Sequence, residues 1–330
     1  MRRPKVLVVA TVLCLGLAAL AHPSGSARGA VLNSRPVGSN GANAVVVSTP
    51  PLQAPHALRP FHSPAKAGEG EWRRAGRLVD GRPAVYTTTV RLPDNPAVVA
   101  GIAWMDTKRL RARLYSGSLS PGGLSWKFTA PILPAAATTL VAAFAGGFLL
   151  NVSQGGYLSE GHLVAPLRRG AASLVIYKNG VATVGMWGRD VFKTPAVVAV
   201  RQNLNLLVDH GHPVPGLNPD DISAWGKSLN NVVNTWRSGL GLSANGALVY
   251  VSGPMNIVDL ADLLVRAGAI RAMVLDMNPL WPIFATYAPA SANGAASPAN
   301  GRDLLPTMLQ SPARFFEPTY SRDFITMSAL

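Results

Sequence analysis

The chain has 330 residues, 48% of them hydrophobic, with a single cysteine and a formal net charge of +14. One thiol excludes an internal disulfide framework and cysteine-ligated zinc, so stability must come from a hydrophobic core and chemistry from oxygen and nitrogen groups. Residues 1–77 hold ten Lys/Arg against two Glu, so the excess on the remainder is modest. Its arginines are scattered and not interleaved with aromatics, which argues against a nucleic-acid partner.

Arg2, Arg3 and Lys5 precede the apolar run 6–20, and Ala19, Leu20 and Ala21 offer a small-x-small cleavage site. This predicts a secretory signal over residues 1–21 and a secreted or cell-envelope, extracytoplasmic location. The run is short against the about 20 residues a membrane span needs; an uncleaved N-terminal anchor is the alternative and the only expected membrane contact. Residues 22–76, rich in Pro, Ser, Ala and Gly, read as a disordered linker. Residues 77–330 suffice for a single globular domain.

Within that domain, residues 85–92 and 97–104 predict a strand pair around a Pro-Asp-Asn-Pro turn. Residues 105–116 set Lys108, Arg109, Arg111 and Arg113 among leucines, and residues 138–148 form an apolar segment ending at Gly146, Gly147 and Phe148. Those glycines either admit a ligand close to the backbone or only turn the chain. Hairpins are expected over 173–185 around Asn179-Gly180, over 206–214, and over 240–251 around Asn245-Gly246. Asn256 can cap a helix over 257–267 that Gly268 ends. Residues 272–275 are apolar without alternation, the mark of a strand covered on both faces, and Asp276 follows directly. Hairpins with few helices predict an α+β fold, a largely antiparallel or mixed β-sheet core with a few flanking helices. Residues 288–302 are a low-complexity loop, either a lid or a surface excursion, and the aromatic tail around Phe315, Phe316 and Tyr320 is expected to pack on the body.

Asp276 and Asn278 form an acid-x-amide pair at a strand end, able to hold a sugar hydroxyl or a metal, or else to cap a turn. Arg237 can grip a phosphate or carboxylate through two parallel hydrogen bonds, or form a structural ion pair. Asp209, His210 and His212 are spaced like metal ligands but also read as a solvent-facing hairpin turn. No Walker loop, nucleophile elbow or dinucleotide fingerprint is present, so no cofactor is expected.

Three blocks resemble the phosphodiester glycosidases related to the mannose 6-phosphate uncovering enzyme, over residues 85–287: AAFAGGF at 142–148, WRSGLGLSANGALVYV from Trp236, and the helix-strand-acid run 256–276. Arg237, Gly241, Gly147, Phe148 and Asp276 carry over. Ala145 stands where the family has an asparagine, and Met277, Asn278, Pro279, Leu280 and Trp281 replace a glycine-serine run, an Asp-x-Asn ending similar to that of a secreted bacterial branch. The resemblance implies an exported hydrolase cleaving a sugar-phosphodiester bond in a cell-envelope glycan or glycolipid. In it Arg237 would clamp the phosphate and Asp276 would act on the sugar side as nucleophile, base or charge stabiliser. Asn278, Gly146, Gly147, Phe148 and Gly241 would line the substrate, with no metal. A phosphate ester leaves as a stable anion, so one carboxylate can suffice; Glu160, Asp190 and Asp209 are the candidates for a second. The alternatives are a non-catalytic phosphoglycan-binding envelope protein of the same fold, and a metal-dependent phosphodiesterase using Asp276, Asn278 and the histidine hairpin.

Overall fold

The computed structural model describes residues 50–330 apart from Leu124, Leu229 and Asn231. The signal segment and the linker up to residue 49 lie outside the described residues. Three sheets and three short α-helices give an α+β body in which the named strands pair antiparallel. The eight-stranded sheet runs β1 (Arg73–Ala75), β2 (Val85–Arg91), β3 (Val99–Met105), β14 (Leu248–Met255), β13 (Thr235–Ser243), β15 (Ala269–Met277), β11 (Leu206–Asp209), β12 (His212–Pro213). A second sheet has the order β7 (His162–Ala165), β6 (Tyr157–Ser159), β10 (Val197–Gln202), β8 (Ala172–Tyr177), β9 (Ala182–Met186). The third has β17 (Gly301–Asp303), β16 (Phe284–Tyr287), β5 (Leu140–Ala145), β18 (Phe324–Ala329), β4 (Leu110–Tyr115). The helices are α1 (Pro134–Ala137), α2 (Ile222–Trp225) and α3 (Ile257–Arg266).

Side chains of the large sheet feed two cores, because alternate residues of a strand point to opposite faces. On one face Val249, Ala272 and Val274 meet Leu260 and Leu264 of α3. On the other, Leu240, Met273 and Leu275 meet Phe144, Leu174 and Ile325 of the smaller sheets. Residue 272–275 is therefore covered on both sides, as its unbroken apolar run predicts. The three expected hairpins form as β8–β9, β11–β12 and β13–β14.

Helix α3 begins where the sequence places its cap. The Asn256 side chain accepts from the amides of Val258 and Asp259 at 2.8 and 2.9 Å, and Asp259 sets negative charge in the first turn. Asn256→Ala leaves those amides without that acceptor. A loss of about 1 kcal/mol in urea denaturation is the expected result.

The linker expected through residue 76 is not one over residues 50–76. Leu52, Leu58, Phe61 and Trp72 pack against the α3-side core, and β1 pairs with β2. Glu69 forms an ion pair with Arg91 at 2.8 Å, and Arg266 stacks on the Phe61 ring at 3.9 Å. The composition of this stretch hides a few well-spaced apolar anchors, and these are enough to lay a Pro-rich segment on the body. The 288–302 loop is also no lid. Arg77 donates to the carbonyls of Ala292 and Gly294 at 2.6 and 2.7 Å, and Ala296 donates to Ala137. The C-terminal aromatics pack as expected, with Phe315 and Tyr320 buried against Phe324.

Candidate active site

The geometry around Asp276 starts from a β-bulge. Arg237 of β13 pairs with Met277 of β15, whereas Gly239 pairs with Val274, so Leu275 and Asp276 together face the single residue Ser238. Such an extra residue bends the strand and re-aims a side chain. Strict alternation would send Asp276 toward α3 with Ala272 and Val274; the bulge turns it to the face that carries Leu275. The backbone groups released by the bulge find side-chain partners. The Asp276 amide donates to Ser238 Oγ at 3.1 Å, and the Asn203 amide donates to the carbonyls of Val274 and Leu275 at 2.8 and 3.1 Å.

Asp276 is only 2% exposed. Its Oδ1 accepts from the Met277 amide at 2.8 Å, and Oδ2 makes no hydrogen bond among the described residues. Arg322 Nη1 lies 3.7 Å from Oδ2, and its guanidinium stacks on the Trp281 ring at 4.3 Å. Burial pushes the carboxyl up to about 7, against the opposing pull of Arg322. A carboxyl at that value exchanges its proton near neutrality, which suits a general base or acid.

A second, fully buried ion pair supports this group. Arg201 Nε meets Asp323 Oδ2 at 2.8 Å, Arg201 Nη1 donates to the Gln202 carbonyl at 2.6 Å, and Nη2 donates to the Phe148 carbonyl. The double glycine makes room for it. A Cβ on Gly146 would overlap the Asp323 carboxylate, and one on Gly147 would sit 3.0 Å from the Leu275 carbonyl and 3.4 Å from Arg201 Nη2. Gly147 also has φ +141°, a conformation that side chains rarely adopt. The close approach foreseen for these glycines is thus to protein groups, with Gly147 and the Phe148 carbonyl forming the wall beside Asp276.

Several sequence-predicted residues stand elsewhere. Arg237 shares the α3-side face with Met277: its Nε donates to the Met255 carbonyl and its Nη2 to that of Val233, both at 3.0 Å, and Nη1 meets Met277 Sδ at 3.6 Å. It is buried, and that burial lowers it to about 10. Its donors are spent on backbone, on the opposite side of the strand from the Asp276 carboxylate. Asn278 has left the strand and caps a turn, accepting from the Leu280 amide at 3.0 Å. Gly241 lies four residues from Arg237, where it lets β13 pass close under Ala269 and Leu264. The histidine hairpin sits at the other end of β15, since Gly211 donates to Ile270, roughly 20 Å along the strand from Asp276. Asp209 there takes Arg189 at 2.7 Å, Asp190 takes the same arginine, and Glu160 accepts the Lys127 and Phe128 amides. None of these three carboxylates is brought to Asp276; the one that is, Asp323, was missed with Arg201 and Arg322. A usable signal exists in hindsight. Arg201 is the penultimate residue of the apolar strand VVAVRQ, and Arg322-Asp323 directly precedes the apolar strand FITMSA, so charge sits in or beside two largely apolar strands.

Residues 138–276 match the phosphodiester glycosidase family, a segment that holds β5, β13 and α3 and ends on Asp276 itself. No curated protein matches the chain. Among solved structures, the chain is similar to the zebrafish N-acetylglucosamine-1-phosphodiester alpha-N-acetylglucosaminidase catalytic domain, auto-inhibited by its pro-peptide, at 16% identity and TM-score 0.48, covering 79% of this chain and 88% of that one. A hypothetical protein from Synechocystis matches at 12% identity and TM-score 0.40, over 76% of this chain and 63% of that one. A Burkholderia pseudomallei K96243 protein described as exported matches at 15% and 0.36, over 70% and 74%. Among the described residues no helix is long and apolar enough to cross a membrane.

Proposed function

We propose that this protein is a phosphodiester glycosidase, an exported hydrolase that cleaves a sugar-phosphodiester bond in a phosphate-bearing envelope glycan or glycolipid. The observation that carries the reading is Asp276: a bulge-aimed carboxylate, buried, with one oxygen lacking a hydrogen bond and a guanidinium 3.7 Å from it. In the reaction Asp276 takes a proton from water as the water oxygen attacks the anomeric carbon. The bond from that carbon to the phosphate oxygen breaks, and the phosphomonoester leaves as an anion. No proton has to be delivered to it, so a second acid is dispensable. Arg322, not Arg237, is the group placed to hold the departing phosphate, through a charge-assisted contact in a site of low dielectric.

The test is release of free sugar from a panel of sugar-1-phosphodiesters, comparing Arg322→Gln with Arg237→Gln. Arg322→Gln is expected to lower kcat/KM by about 10²-fold with little loss of thermal stability. Arg237→Gln should act mainly through stability, because its guanidinium ties backbone carbonyls. The opposite ranking among folded variants would return the phosphate to Arg237. A second reading, a phosphoglycan-binding protein without turnover, is favoured by the 2% exposure of Asp276. It predicts saturable binding of the same compounds and no sugar release.

A further inference from the structure

A cleft of about 850 Å³ opens between β4 and β18 on one side and β8 and β10 on the other, and none of the groups around Asp276 lines it. This is the size of a small-molecule site. Its floor is apolar, with Leu114, Leu158 and Ile176 buried in the sheets and Val198 still 37% exposed. Val198 owes that exposure to an irregularity in β10, where the register against β8 slips between Val197 and Ala199.

The rim is cationic. Strand β4 alternates Arg111 and Arg113 outward with Ala112 and Leu114 inward, Lys178 follows β8, and Lys193 precedes β10. All four are exposed, and none makes an ion pair among the described residues. The one acidic side chain in the lining, Glu160, is already committed to the Lys127 and Phe128 amides, both at 2.9 Å. Arg113 is held in place by its stack on the Phe128 ring at 4.0 Å. Four cations that no carboxylate among the described residues pairs with thus surround an apolar floor, the lining's own carboxylates being those of Glu160 and the last residue Leu330, a combination that favours a ligand carrying both an anion and an apolar chain.

We propose that this cleft binds a single-chain lipid with an anionic headgroup, its chain along Leu114, Ile176 and Val198 and its headgroup between the β4 arginines and the two lysines. The experiment is calorimetric titration of the full chain with decyl phosphate below its micelle concentration. Inorganic phosphate and decyl maltoside serve as the headgroup-only and chain-only arms. Saturable binding at one site is expected, weakened about tenfold or more in Arg113→Glu/Lys193→Glu and likewise in Val198→Trp, which fills the floor from an exposed position. Both single arms should bind at least about tenfold more weakly than decyl phosphate. No saturable binding to the wild-type chain would overturn the proposal. So would unchanged affinity in both variants with native circular dichroism, or inorganic phosphate binding as tightly as decyl phosphate.

Discussion

Asp276→Asn is expected to lower kcat for sugar release by about 10²–10⁴-fold while leaving the protein folded and, above neutrality, more stable than the wild type. The two effects come from one cause. Burial raises the folded-state carboxyl from its ordinary 3.8 to about 7, so the folded chain holds this proton more tightly than the unfolded chain does. The corresponding stability is fully present below about pH 4 and is lost as the pH rises toward 7, at a rate of about 1.4 kcal/mol per unit between those limits. Asparagine has the same shape and no charge, so that slope disappears. Asp303 is also raised by burial, to about 6, and adds a loss of the same sign over a lower window. The comparison is therefore made in an Asp303→Asn background, by urea denaturation from pH 4.5 to 8. If Asp276→Asn keeps wild-type turnover, the hydrolytic role fails; if the slope survives, the Asp276 carboxyl is not the group raised by burial, and its ionisation does not set the acid limb of activity near neutrality.

What could be read in the sequence divides along the range of the interactions involved. Asn-Gly turns, the Asn256 cap and the 3.6-residue face of α3 are short-range signals, and each produced the element it predicts. The apolar run 272–275 announced a doubly covered strand because burial on both faces removes alternation. The bulge at Leu275–Asp276 has no such signature. It exists because Ser238 and Asn203, 38 and 71 or more residues away, satisfy the backbone that it frees. Without it, alternation would set Asp276 on the face of Arg237, the partner that the family resemblance implies; with it, the two stand on opposite sides of the sheet. The Asp323–Arg201 pair spans 122 residues and ties β10 to the residue just before β18 of another sheet, so neither member's neighbours foretell the other. Residues 50–76 show the converse failure. Their composition resembles a linker, yet a Leu, Phe or Trp every several positions finds a groove on a surface that only the folded body provides.

The buried Arg201–Asp323 pair gives the second large effect and links the scaffold to the chemistry. Arg201→Met is expected to cost about 3–5 kcal/mol, because it leaves the Asp323 carboxylate without its partner in a place that water does not reach. Asp323→Asn leaves the guanidinium with its two carbonyl acceptors and should cost less. The double variant should recover more than half of the single arginine loss, since no uncompensated charge remains. Thermal and urea unfolding of the four proteins completes that cycle, and additive losses would show that the two groups are not coupled. The same variants act on Asp276 at a distance. Arg201 pulls its carboxyl down and Asp323 pushes it up. With Asp276 as the base, activity rises with pH through its pKa; Arg201→Met should move that acid limb to higher pH, Asp323→Asn to lower pH, and the double variant back toward the wild type. A pair that only supported the fold would change the amplitude of the profile in each variant without displacing the limb in opposite directions.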